Sequence, residues 1–313
     1  MHPISVHPLA VGLVGAGPWA WGVHAPLLAA GPETRLAGVW ARDPERAREL
    51  ADAHGAPAFA EYEALLAACD AVAFAVPPAV QARMAPQAAR AGRALLLEKP
   101  LGESLAEAER VQAAIAAAGV PHMVAFTYRF VPEVQALLAA AGREGVELTG
   151  GRACFFTGSY RGGPFAHGWR LEHGSLLDTG AHVVDLLDAA LGPIEQARAM
   201  RHGDLTAALL RHRSGAVSSL AVCSTAAVDG SRIELELLSP ECELTVDVSD
   251  ATRASMIGVS RLGGPQADPH ASPFRDMREA FAACVAAGRS HELDSARALT
   301  VQRALELIRG ALR

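Results

Sequence analysis

Three sets of residues in this chain have the types and the spacing to do chemistry. The first is Glu98, Lys99 and Pro100, which follow the apolar run Leu95, Leu96 and Leu97. Lys99 is the sole lysine of a 313-residue chain with 28 basic residues, the rest being arginine. A sequence that writes arginine wherever a cation is needed keeps one lysine for a chemical reason. An ammonium is a compact point charge whose pKa falls on partial burial, so it can share a proton where a guanidinium cannot. An apolar run before it and a proline after it place Lys99 at a strand end rather than on a solvated helix face. The second set is Asp178 and His182, spaced i, i+4, so that both project from one helix face and can converge on one ligand. Gly180 between them costs helix stability but permits close approach of a cofactor or a strand. The third set is Gly15, Ala16, Gly17, Pro18, Trp19 and Ala20, which has the form G-x-G-x-x-A. Its first glycine makes a tight turn, its second lets the backbone approach a pyrophosphate, and its small last residue lets helix and strand pack closely.

These residues need elements to hold them. Leu9 to Val14 reads as a strand that delivers the glycine turn, followed by an irregular first helix and a second apolar stretch from Leu36 to Trp40. In a dinucleotide fold the end of that second strand meets the adenosine ribose, where an acid would accept bonds from both ribose hydroxyls. Here the residues are Ala41 and Arg42: a small side chain with room for a 2′-phosphate, then a bidentate partner for it. Asp43 precedes Pro44 and reads as the N-cap of a helix running to Ala53. NADP is therefore favoured over NAD. Asp70 to Val76 reads as a strand ended by Pro77 and Pro78, Val80 to Ala91 as a helix closed by Gly92, and Ala94 to Leu97 as the strand that delivers Lys99. Ser104 and Glu107 form a capping box for a helix stopped by Gly119 and Pro121, and His122 to Tyr128 reads as a further strand. Alternating strands and helices predict a parallel sheet with ligands at the carboxyl ends of its strands.

The alternation stops near Tyr128, which predicts a dinucleotide-binding domain over 1–127 and a second domain over 128–313. Strand-like runs at Gly151 to Phe156, Ile194 to His202, Leu205 to Arg213, Ala216 to Ser224, Arg232 to Leu238 and Glu243 to Val248 predict an open, mostly antiparallel sheet in an α+β domain. A helix from Ser175 to Leu191 interrupts them and carries Asp178 and His182. Helices at Phe274 to Ala287 and Leu293 to Leu312 close the chain, the last expected to pack back on the first domain.

Composition narrows the partners. Half of the residues are hydrophobic, a fifth are charged and the net charge is −6. With no basic cluster there is no electrostatic footprint for nucleic acid or an anionic membrane, so a small molecule is expected. Cys69, Cys154, Cys223, Cys242 and Cys284 lie too far apart for a zinc or redox motif and fit free thiols in a reducing cytoplasm. Residues 1 to 32 contain no charged side chain, yet repeated glycine and proline and the lack of a cationic leader argue against a signal peptide or membrane span.

With the glycine turn, the Glu98, Lys99, Pro100 triplet, Tyr128, Arg129 and Phe130 at the boundary, and the D-x-G-x-H pattern of Asp178 to His182, the chain resembles the glucose-fructose oxidoreductase and inositol dehydrogenase family (Gfo/Idh/MocA) over nearly its whole length. The resemblance implies an NAD(P)-dependent dehydrogenase or reductase acting on a secondary alcohol or ketone of a sugar, cyclitol or small polyol. It implies a Rossmann domain, a large open sheet used for forming a dimer or tetramer, and a nicotinamide between Lys99 and the Asp178 helix. Gly15, Gly17, Pro18, Trp19, Ala20, Ala41, Arg42, Val76, Pro77, Glu98 and Lys99 would contact the cofactor. His182 would carry the substrate proton, Lys99 would stabilise alkoxide charge or share the proton, and Asp178 would orient the substrate hydroxyl or the histidine. A cis peptide before Pro100 is expected to hold Lys99 in place. Arg129, His167, Trp169 and His173 are candidates for the substrate side. Two departures stand out: His24 comes one residue later than the common family spacing, and Gln81 stands where many members have histidine.

Other readings are weaker. A metal centre drawn from His167, Glu172, His173, Asp178 and His182 lacks a helix with a histidine pair at ligand spacing, so no metal is expected. The chain has no G-x-S-x-G and its lysine is not in a phosphate loop, which excludes serine-hydrolase and nucleoside-triphosphatase chemistry. The alternative from another class is a catalytically silent dinucleotide-binding regulator, and the presence of Lys99, Asp178 and His182 argues against it.

Overall fold

The computed structural model describes residues 7–228, 230–240, 243–249 and 272–312. Cys242, one of the five thiols, lies outside them. The chain divides into two compact units. One comprises the chain up to Gly102 with Ala106–Ala125 and Phe274–Arg297; the other comprises Glu103–Leu105, Phe126–Pro273 and Ala298–Arg313.

The first unit is built on a five-stranded parallel sheet of β1 (Leu9–Val14), β2 (Thr34–Trp40), β3 (Ala71–Phe74), β4 (Ala94–Leu97) and β5 (His122–Val124), in the order β2-β1-β3-β4-β5. Every residue of β3 and β4 is buried. That is why these segments read as unbroken apolar runs: a parallel sheet is covered on both faces, so no position alternates outward. Leu95, Leu96 and Leu97 are wholly inaccessible, and each stabilises the fold by roughly 1.5–3 kcal/mol through burial. A π-helical turn (Ala20–His24) runs into α1 (Ala25–Ala29), and α2 (Pro44–Ala53), α3 (Tyr62–Ala67), α4 (Pro78–Arg90) and α5 (Leu105–Ala118) make the remaining crossovers. The strand order reverses about β1, with β2 on one side and β3 on the other. Such a reversal opens a crevice at the carboxyl ends of the strands.

The strand expected over His122 to Tyr128 is shorter than its sequence suggests. After Val124 the backbone turns, and Thr127–Phe130 is a 3-10 turn. The outer side of β5 is covered from the far end of the chain: the Val124 N–H donates to the Leu293 carbonyl at 2.7 Å, and the His291 N–H donates to the His122 carbonyl at 3.1 Å. This pairing removes an exposed edge and ties the C-terminal region into the first unit. α9 (Pro273–Ala286) therefore does not belong wholly with the second half, as a single cut at 127/128 would have it. Its Arg278, 4% exposed, donates to Glu33 at 3.0 Å and to the Leu27 carbonyl at 3.1 Å.

The second unit carries β6 (Gly150–Thr157), β7 (Ile194–His202), β8 (Leu205–His212), β9 (Val217–Cys223), β10 (Ser231–Leu238) and β11 (Glu243–Asp247), in the order β11-β10-β6-β9-β8-β7. All neighbours are antiparallel except β6 and β9. Burial alternates strictly along β8, the pattern of a sheet with one packed and one open face. On the packed side lie α6 (Pro132–Ala141), α7 (Trp169–Leu177) and α8 (Thr179–Leu191). α6 was not foreseen, although Pro132 at its first position and the Ala-rich run after it are ordinary helix signals. α10 (Ser295–Gly310) begins in the first unit and continues from Ala298 in the second. Among the described residues no helix is long and apolar enough to cross a membrane.

Candidate active site

In the first unit the glycine turn leaves β1 at its carboxyl end. Gly15 has φ +119°, and a Cβ there would meet the Ala75 carbonyl oxygen at 2.4 Å, so the backbone just after β3 fixes this position as glycine. At Gly17 a Cβ would have nothing within 4 Å, so that side of the turn lies open for close approach of a ligand's phosphates. Ala41 and exposed Arg42 follow β2, and Val76 and Pro77 follow β3. Asp43 is occupied as a helix cap, accepting from the N–H groups of Glu45 and Arg46 at 3.1 and 3.3 Å. The cradle fits a dinucleotide: its open glycine turn, at the reversal of strand order, faces the crevice where such ligands bind.

Glu98 and Lys99 leave β4, and the Lys99–Pro100 peptide is cis. Gln81 of α4, fully buried, grips the backbone on both sides of Lys99. Its amide donates to the Glu98 carbonyl at 2.7 Å and to the Pro100 carbonyl at 3.4 Å, and its oxygen accepts from the Glu98 N–H at 2.8 Å. The residue noted only as a departure from the family pattern is therefore in contact with the segment that presents Lys99. The Glu98 carboxylate accepts from the Trp19 indole N–H at 2.7 Å and pairs with His24 Nε2 at 2.8 Å, both on Oε1. Trp19 can only donate, and a protonated His24 would bury a second N–H with no acceptor at Nδ1. The arrangement suits His24 donating from Nε2 to Glu98. The π-helical turn explains the late position of His24: such a turn holds one residue more than an α-turn, and the Ala25 N–H closes it onto the Ala20 carbonyl. The extra residue is taken up before α1 begins.

In the second unit Gly174, with φ +73°, breaks α7, so helical backbone restarts at Ser175 as the sequence predicts. Asp204, from the turn between β7 and β8, holds that restart. It accepts from the Ser175 N–H at 2.9 Å, from the Ser175 hydroxyl and from the Ser224 N–H at 2.6 Å. Three residues on, buried Asp178 joins α7 to α8, and buried His182 lies one turn further. The Asp178 Oδ2 accepts from the Tyr160 hydroxyl at 2.9 Å and from Arg170 Nε at 3.1 Å. Burial and then the Asp178 charge push the Tyr160 hydroxyl pKa well above the ordinary tyrosine range. The His182 ring stands edge-on to Tyr128, with centroids 4.8 Å apart, and tilted against Phe155 at 6.4 Å. Gly180 lets the helix lie close to β9: a Cβ there would sit 3.8 Å from Val222 and 3.3 Å from Leu176.

A family model described as an oxidoreductase family with an NAD-binding Rossmann fold, Gfo/Idh/MocA, matches residues 9–126. The trans-1,2-dihydrobenzene-1,2-diol dehydrogenase of Macaca fascicularis is 31% identical over 227 residues, which are 66% of this chain and 67% of that protein. The chain belongs to the Gfo/Idh/MocA family. A dTDP-3,4-didehydro-2,6-dideoxy-alpha-D-glucose 3-reductase of Actinomadura kijaniata is 30% identical over 195 residues, and the match spans 61% of this chain but only 58% of that relative. Among solved structures, GenD2 from gentamicin A biosynthesis in complex with NAD superposes with a TM-score of 0.82 at 24% identity, covering 99% of this chain and 96% of that one. That likeness is one of fold.

Family membership leaves the outer residues to be read from this chain. Among the substrate-side candidates, Arg129 pairs with Asp185 of α8 at 3.4 Å, His173 lies 3.6 Å from Glu103, and His167 is exposed. Trp169 stacks against the Arg170 guanidinium, 4.8 Å from ring centroid to carbon, and Phe165 lies at 5.2 Å. Tyr160, Arg170 and Asp204 escaped the sequence reading. Each reaches its partner only through the folding of a loop or the return of a strand, and no short-range spacing announces that. Among the described residues no group of three or more His, Cys, Asp or Glu is arranged to hold a metal ion.

Proposed function

We propose that the chain is an NAD(P)-dependent oxidoreductase that interconverts a secondary alcohol and a ketone on a sugar, cyclitol or related small polyol. The observation that carries this reading is that all three proton-handling groups are present and individually supported. Lys99 follows a strand braced by Gln81, Asp178 is fixed by Tyr160 and Arg170, and His182 is seated against Tyr128. A protein that only sensed a dinucleotide would need none of them. The relatives named as a dTDP-sugar reductase and a cyclic diol dehydrogenase support a ring alcohol or ketone as the reacting group.

The nicotinamide, when bound, takes or supplies the hydride. In the oxidative direction His182 receives the hydroxyl proton as the C–H electron pair departs, because an imidazole titrates near neutrality. Lys99 opposes the negative charge that develops on that oxygen. Asp178, held by two donors, orients the reacting group or the histidine. NADP is the preferred cofactor: Arg42 stands exposed where a 2′-phosphate would lie, and Asp43 is committed to its cap.

Among the described residues Cys69, Cys154, Cys223 and Cys284 are free thiols, which supports a reducing cytoplasmic setting. The open face of the second sheet supports self-association. It forms a groove of about 850 Å³ crossed by Arg152, Arg198, Arg232, Glu234 and Glu236, with Met200 76% and Leu209 58% exposed nearby. A face carrying apolar residues with both signs of charge can pair with its own copy about a two-fold axis.

The test is fluorescence titration with NADPH and NADH, then a sugar and polyol panel read at the nicotinamide absorbance. NADPH should bind about ten-fold tighter or more, given the charge-assisted bonds of a 2′-phosphate to Arg42. Lys99→Ala and His182→Ala should each abolish turnover and still bind cofactor. Full activity in either variant would sink the mechanism, and tighter NADH binding would refute the role of Arg42.

A further inference from the structure

We propose that the terminal edge of the Arg170 guanidinium is a subsite for an anionic group of the substrate, a carboxylate or a phosphate carried by a sugar. This rests on the reading of the Asp178 and His182 helix as a substrate site. Arg170 has five N–H donors in a planar fork. One, at Nε, is given to Asp178 Oδ2 at 3.1 Å. The two terminal nitrogens, with four N–H groups, donate to no described residue. Yet the side chain is only 20% exposed, with the faces of Trp169 at 4.8 Å and Phe165 at 5.2 Å. A guanidinium removed this far from water with most of its donors unused is unfavourable unless something else meets them.

The geometry also says what would meet them. Asp178 on one edge and aromatic faces beside it fix the plane of the fork, so the opposite edge is presented without further ordering. Two parallel N–H groups of a fixed guanidinium match the two oxygens of a carboxylate or phosphate. The segment around it has the complementary sign. Between Gly158 and His173 the chain carries Arg161 and Arg170 against the single acid Glu172, within a protein of net charge −6. Arg161 and His167 are exposed on the same segment, which allows an anion to be attracted as well as gripped. Because Arg170 also touches Asp178, an anion bound at its far edge would be registered to the reacting end of the site.

The test is calorimetric titration of the NADP-loaded protein with D-glucose, D-glucuronate, D-glucose 1-phosphate and UDP-glucose. At least one anionic sugar should bind about ten- to hundred-fold tighter than D-glucose, the range expected of charge-assisted bonds. Glucuronate alone would identify a carboxylate subsite, and the phosphate-bearing ligands alone a phosphate subsite. R170Q should remove the gain, so that anionic sugars bind it no more tightly than D-glucose does, while R170K, which keeps the charge but not the fork, should retain part of it. Thermal melts confirm that each variant is folded. If no anionic sugar surpasses D-glucose in the wild-type protein, or if the gain survives in the folded R170Q or is fully kept in R170K, the proposal is overturned. Binding selectivity is read without turnover, so failure of the hydride chemistry would leave that selectivity intact and is separately visible.

Discussion

Replacing Gln81 by methionine tests how the segment that carries Lys99 is held. The change nearly conserves volume but removes the amide that bonds to the Glu98 carbonyl at 2.7 Å and the oxygen that receives the Glu98 N–H at 2.8 Å. Gln81 is fully buried, so no solvent replaces it on its own side. Two backbone groups left unsatisfied cost about 1–3 kcal/mol each, or ~2–6 kcal/mol together. At roughly 2–4 °C per kcal/mol for a chain of moderate size, the melting midpoint should fall by about 5–20 °C. The kinetic effect follows from displacement: a shift of about 1 Å in a group that must face the reacting oxygen costs on the order of 100-fold in rate. The assay is a thermal melt beside steady-state kcat with a substrate found in the panel. Gln81→His keeps one donor and one acceptor in the ring and should restore part of both losses. Wild-type kcat and an unchanged midpoint in Gln81→Met would refute the bracing role.

Two further predictions concern the second unit. Tyr160 has its folded pKa raised by burial and by Asp178, so above about pH 10, the ordinary tyrosine value, the unfolded chain loses a proton that the folded chain keeps. Stability from this source is therefore full below about pH 10 and is lost as pH rises further. Tyr160→Phe should flatten the alkaline fall of the melting midpoint between about pH 10 and 12, and an unchanged slope would contradict it. On the open sheet face, Met200→Glu should shift the mass measured by light scattering toward a single chain, since a charge replaces a side chain that is 76% exposed in the isolated chain. An unaltered oligomer, or a wild-type monomer, would count against self-association there.

The parts of this molecule legible in its sequence are those set by local pattern. Leu95, Leu96 and Leu97 followed by Pro100 announce a buried parallel strand and its end, because both faces must be apolar and proline cannot extend the ladder. Gly15 announces a turn that admits no side chain, and the run from Ser175 to Leu191 shows its helical face although Gly174 interrupts the preceding turns. What escaped the sequence was set by the tertiary fold. Gln81 meets backbone 17 residues away, Arg170 reaches Asp178 8 residues on, and Asp204 comes from a turn 29 residues beyond Ser175. No periodicity encodes such partners. The end of β5 was misjudged for a similar reason: the residues after Val124 remain apolar and buried, but their neighbours no longer belong to a ladder.

The wound turn at Ala20–His24 bears on how this domain can change length. An insertion in a strand flips every following side chain to the opposite face, and one in an ordinary helix rotates everything downstream by about 100°. Here the added residue is confined to one widened loop of backbone, and Leu27 and Leu28 remain inward-facing and buried beyond it. The turn acts as a slack-absorbing coupling: it lets the residue count between the glycine turn and His24 vary by one while both ends keep their orientation.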